Sequence, residues 1–198
     1  MANTDDMFYR RQLPHWNPGG EVLFLTWRLH RFAPANALAR PAVARLVDAA
    51  LGYADVQLSL YRRLASTIMP DHVHLLVVPR APLARITHSL KSFTAHRAAA
   101  CLDLVGQPIW QDESFDHWLR SDAEILATAR YIVENPVRRG LALAADAWPW
   151  NWLSSELCRG RAALRNFAAL PLGSAFPPPV VGSRAAAKAM GAVAGVRF

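Results

Sequence analysis

Cysteine is nearly missing from this chain: Cys101 and Cys158 are the only two in 198 residues. Two thiols can build neither a disulfide framework nor a zinc-binding pattern, and their scarcity suits a reducing, cytoplasmic setting. Long apolar runs are lacking as well. The longest uncharged segment, 166–183, is broken by four prolines, so no membrane span is expected. The first fifteen residues have no apolar core and carry Asp5, Asp6, Arg10 and Arg11, which predicts no secretory signal. Acidic residues are absent after Glu156, whereas Arg159, Arg161, Arg165, Arg184, Lys188 and Arg197 follow it. The net charge of +7 therefore belongs mostly to the C-terminal stretch, and the rest of the chain is almost balanced. Local clustering says more than the total. Between His72 and Leu102 every charge is basic (Arg80, Arg85, Lys91, Arg97), and Arg138-Arg139 form a second basic group; these are candidate phosphate contacts.

What is present is a regular alternation of strand and helix signals. Glu21 to His30 alternates, with Leu23, Leu25, Trp27 and Leu29 on one face, and predicts a strand. Pro41 opens a helix with Val43, Leu46, Val47, Ala50 and Leu51 on its apolar side, which Gly52 is expected to close. A second strand is expected from Val56 to about Ile68, and Pro70-Asp71 turns the chain into a third, His72 to Val78. A longer helix follows Pro82, then a short strand near 116–119. The order β-α-β-β-α-β-α predicts an α+β fold: a ferredoxin-like split βαβ with an antiparallel sheet, helices on one face and an added C-terminal helix. At this length one domain is expected, spanning 21–158, with an N-terminal arm (1–20) and a basic, flexible tail (159–198).

Two stretches carry chemistry. In Met69-Pro70-Asp71-His72-Val73-His74-Leu75, His72 and His74 share a strand face about 6–7 Å apart, close enough to ligate one metal ion. A strand-edge pair with no ligand is the plainer alternative. The second is Tyr131-Ile132-Val133-Glu134-Asn135-Pro136-Val137-Arg138-Arg139-Gly140. Ser121-Asp122-Ala123-Glu124 is a capping-box start, and Pro136 is expected to stop the helix. Ile125, Ala129 and Ile132 form its apolar side, while Tyr131 and Asn135, one turn apart, point together. Asn135 is placed to offer a carbonyl oxygen as a third ligand, or is simply the residue before the proline.

Together these stretches resemble a family: the single-tyrosine HUH transposases of single-stranded DNA, and within them the REP-associated tyrosine transposases of bacteria. Arg10-Arg11-Gln12-Leu13-Pro14-His15-Trp16, Lys91-Ser92-Phe93-Thr94-Ala95-His96, Trp110-Gln111-Asp112-Glu113-Ser114-Phe115-Asp116-His117 and Trp148-Pro149-Trp150 fit the same pattern in the same order. The resemblance implies the same fold, a divalent ion (Mg2+ or Mn2+) on His72, His74 and Asn135, and Tyr131 as nucleophile. It also implies single-stranded DNA near a REP-like hairpin as partner, cleaved and rejoined through a 5′-phosphotyrosine. Arg10, Arg11, Lys91, Arg138 and Arg139 are the expected DNA contacts. Two departures stand out. Asp71 replaces the commoner asparagine and is expected to point off the histidine face with little consequence. Asn151-Trp152-Leu153 interrupts the usual tryptophan followed by two serines, which bears on C-terminal packing. A domesticated, non-catalytic hairpin-binding protein is the alternative, and monomer and homodimer are equally open.

Overall fold

The computed structural model describes residues 22–155 and residue 157. Arg10 and Arg11, the N-terminal arm and the basic tail lie outside the described residues. Among the described residues, five strands form one sheet: β1 (Val22–Arg28), β2 (Tyr61–Ile68), β3 (His72–Pro79), β4 (Phe115–Leu119) and β5 (Asn151–Leu153). Three helices, α1 (Pro41–Val56), α2 (Leu83–Leu102) and α3 (Asp122–Arg138), connect them. The strand order is β4-β1-β3-β2-β5, antiparallel at every pairing. Its first four strands are the expected ferredoxin-like arrangement; β5 is an addition at the β2 edge.

The two sheet faces are covered unequally. Leu23, Leu25, Trp27, Val73, Leu75 and Val77 face α1 and α2 and join Val43, Val47, Leu51, Ile86 and Leu90 in the main core. The opposite face carries a smaller cluster in which Val22, Leu64, Ala65, Leu76 and Leu119 meet Ala129 and Ile132 of α3. So α1 and α2 lie on one face as expected, and the tyrosine-bearing helix sits on the other. Period-two alternation along β1 and β3 thus serves two packing layers at once.

Three boundaries differ from expectation, each because packing overrides a local signal. Helix α1 runs through Gly52 to Val56, so Val56, expected in β2, ends a helix instead. A mid-helix glycine costs only about 1 kcal/mol against alanine, and the adjacent Leu51 and Ala54 are buried in the core. Helix α3 runs through Pro136 to Arg138. The proline deletes one backbone donor, but the Arg139 amide still donates to the Asn135 carbonyl at 3.1 Å. Gly140, at φ +67, then stops the helix: its amide donates to Val137, and that of Leu141 to Pro136, the paired bonds of a Schellman cap. The third difference is β5. Asn151 donates from Nδ2 to the carbonyls of Val133 and Ala145, and Trp152 lies 4.7 Å from the buried Arg63 guanidinium. The departure from the usual tryptophan-serine pattern is therefore a short strand that ties α3 to the β2 edge.

Candidate active site

Strand β3 enters the sheet with His72 and His74 already on the α3 face, because Val73 and Leu75 are drawn into the main core. Both histidines are buried. Their Nε2 atoms approach to 3.1 Å, and the far nitrogen of each ring is held from behind. His72 Nδ1 lies 2.6 Å from Asp71 Oδ1, and His74 Nδ1 lies 2.7 Å from Thr26 Oγ1. A carboxylate at Nδ1 requires the proton there, which leaves the Nε2 lone pair of His72 free and aimed inward. When Thr26 accepts from His74 Nδ1, the second Nε2 is free in the same way.

Asn135 on α3 completes the group: its side-chain amide sits 3.2 Å from His74 Nε2, buried, 61 residues away in sequence. The nitrogen and oxygen of such an amide are exchanged by a simple rotation of its end group, so Oδ1 can take the same position. Among the described residues no third His, Cys, Asp or Glu joins the pair. The donor set is thus two imidazoles and one amide oxygen, with both imidazoles pre-oriented. Nitrogens 3.1 Å apart suit neighbouring ligands of one ion at roughly 2.1 Å. These residues fit a divalent cation.

Electrostatics favour neutral ligands. Burial, with His72 and the guanidiniums of Arg28 and Arg139 nearby, pushes His74 down to about 3. Burial also lowers His72, against the opposing hydrogen bond and charge of Asp71. Burial would raise Asp71, but the bond to His72 and the positive charges of Arg139 and Arg28 carry it below the usual carboxylate range.

Tyr131 stands beside this group. Its ring centroid is 5.5 Å from that of His74, the Arg138 guanidinium lies 5.7 Å from the ring, and the residue is 39% exposed. One turn of α3 therefore presents a buried amide to the histidines and a solvent-accessible phenol next to them.

Other expected contacts fare differently. Arg139 lies 3.9 Å from Asp71 and Arg28 lies 3.5 Å from it, both about half exposed at the rim of the site. Arg138 pairs with Glu134, which also takes Arg130. Lys91 does not stand ready for phosphate. Its Nζ donates to the carbonyls of Asp112 and Glu113 and to Ser114 Oγ, so its three donors are committed to the loop before β4. Asp71 corrects an expectation: it turns back onto His72 rather than away from it. Its adjacency to His72 was a usable signal in the sequence; Thr26 had none, because only the β1–β3 register places it opposite His74.

The chain thus has an antiparallel ferredoxin-like sheet that carries a His-x-His pair opposite a helical tyrosine. No family model matches the chain. Over 102 residues it is 28% identical to a Haemophilus influenzae protein provisionally named a REP-associated tyrosine transposase, an alignment covering 46% of this chain and 58% of that one. The chain thus spans little more than half the length of that relative. A solved REP-associated tyrosine transposase, bound to a REP hairpin, superposes with a TM-score of 0.55 at 21% identity over 71% of this chain and 81% of the other. The resemblance carried by the motifs is borne out: in sequence and in fold the chain is similar to REP-associated tyrosine transposases. Among the described residues no helix is long and apolar enough to cross a membrane.

Proposed function

We propose that the chain is a metal-dependent transposase that cleaves and joins single-stranded DNA near a hairpin through Tyr131. The observation that carries this reading is the convergence of two Nε2 atoms and a buried amide beside an accessible phenol. His72, His74 and Asn135 would hold the ion, Mg2+ or Mn2+. Bound there, it would polarise a phosphate oxygen and offset charge developing on the phosphoryl group.

The residues of the chain supply the rest. Tyr131 Oη attacks the scissile phosphorus and loses its proton to solvent. The P–O3′ bond breaks, and the departing oxygen takes up a proton as a free 3′-OH. The product is a 5′-phosphotyrosine, which conserves the bond for later attack by another 3′-OH, so no nucleotide cofactor is needed. A tyrosine phenol is a weak nucleophile at neutral pH, and the Arg138 guanidinium lies 5.7 Å from its ring. Arg28 and Arg139, at the rim, are placed to meet the flanking phosphates.

The deciding test incubates the full chain with labelled single-stranded hairpin DNA and manganese, then runs a denaturing gel. A covalent protein–DNA band that EDTA prevents is expected. Release of cleaved DNA with no adduct would instead indicate a hydrolytic phosphoesterase, and binding without cleavage a domesticated hairpin-binding protein.

A further inference from the structure

The aromatic groups around Tyr131 extend past the histidines to the sheet edge. Phe24 on β1 contacts His74 at 5.5 Å and Tyr131 at 6.3 Å between ring centroids. Phe115 on β4 meets Phe24 edge-on at 6.1 Å. The register explains the line: Phe115 pairs with Thr26 and Thr26 with His74, so all three side chains rise from the α3 face of the sheet. Phe24 is half-buried, yet Phe115 is 56% exposed at the end of an edge strand. Helix α3 covers the far end of this face, through Val22 and Leu119, but leaves Phe115 uncovered. An exposed phenylalanine joined through Phe24 to a candidate nucleophile is not required for packing, since Trp118 and Leu119 supply that strand's core contacts.

We propose that Phe115, backed by Phe24, is a stacking platform for an unpaired nucleobase next to the phosphate that Tyr131 attacks. The inference rests on the single-stranded DNA reading above and names where one base of that strand lies. Charge complementarity selects this occupant. The same face presents the half-exposed guanidiniums of Arg28, Arg138 and Arg139, which suit a phosphodiester backbone whose bases turn toward the aromatic floor. Every base has a π-face, so the platform holds a strand without reading its sequence. Holding the base also limits the position of its neighbouring phosphate over Tyr131.

The test separates binding from cleavage by using full-length protein carrying Tyr131→Phe. Two probes are compared by fluorescence anisotropy at one salt concentration: labelled oligothymidylate about ten nucleotides long, and an abasic oligomer of the same length. Adding Phe115→Ala should weaken oligothymidylate binding about ten- to hundred-fold and leave abasic binding unchanged, while Phe115→Trp should preserve both. Equal loss on the two probes, or no loss on oligothymidylate, overturns the platform. So does sedimentation showing a dimer that Phe115→Ala converts to monomer, because the patch would then belong to a second copy of the chain. Failure of the tyrosine chemistry leaves these measurements untouched: it would appear as a missing adduct with base-dependent binding intact.

Discussion

The two faces of one sheet have been put to opposite uses. Toward α1 and α2, β1 and β3 send leucine, valine and tryptophan into a continuous core. Toward α3, the alternate positions of the same strands carry His72, His74, Thr26 and Phe24. Among the described residues one helix covers that second face where two cover the first, and the buried polar groups there need partners. They have them: each ring nitrogen of the histidine pair faces a named polar atom. The packed face supplies rigidity, and rigidity is what allows the other face to hold three donors at one point.

The comparison breaks most completely at Tyr131. Replacing it with phenylalanine should abolish the covalent adduct while thermal unfolding and DNA binding stay near the wild-type values. An adduct persisting in that variant would move the nucleophile to another tyrosine.

Paired substitutions on neighbouring positions of β3 should separate the faces next. Leu75→Ala, in the main core, should cost about 2–5 kcal/mol of stability. His74→Ala should cost much less stability but eliminate metal-dependent cleavage. Denaturant titrations and the adduct gel read the two effects separately; if His74→Ala destabilises as much as Leu75→Ala, the histidine face is structural.

A smaller effect should follow at the residue behind the site. Asp71→Ala should weaken manganese binding about 10–100-fold, as measured by calorimetric titration. Asp71→Asn should weaken it less, because an amide oxygen still accepts from His72 Nδ1. An unchanged affinity in Asp71→Ala would mean that the ring needs no such support.

A further effect should be on pH dependence. His74 is held far below its ordinary value, so on acidification the unfolded chain takes up a proton that the folded chain refuses. Metal-free protein should therefore lose stability as pH falls from about 6.5 toward 3, and regain it on the return. Acid unfolding of His74→Ala should be shallower across that window.

Much of this was legible in the residues, for physical reasons. Prolines 41 and 82, the Pro70-Asp71 turn and the Ser121 cap mark element starts, where a side chain or a fixed φ acts locally. The meeting of His72, His74, Asn135 and Tyr131 was legible because spacing along a strand or a helix dictates direction. Element ends were less so: Gly52 and Pro136 are weak barriers once buried neighbours reward continuing the helix. Thr26 and the commitment of Lys91 were hidden for another reason. A hydrogen bond across 48 residues, or from a helix to a distant loop, depends on register that composition does not encode.

The tight β2–β3 hairpin has a consequence in time as well as in space. The histidine pair sits directly after its turn, so its strand can zip up against β2 from a short, cheaply closed loop. Asn135 and Tyr131 must cross some sixty residues of chain to reach it. Assembly of the site therefore requires the docking of α3 onto strands whose own β2–β3 pairing is local in sequence. A chain still emerging from the ribosome, or one opened by the loss of α3, would carry the two imidazoles without the phenol. Under the proposed function, such a species would hold two of the three proposed ligands and no nucleophile, so strand cleavage would await completion of the fold.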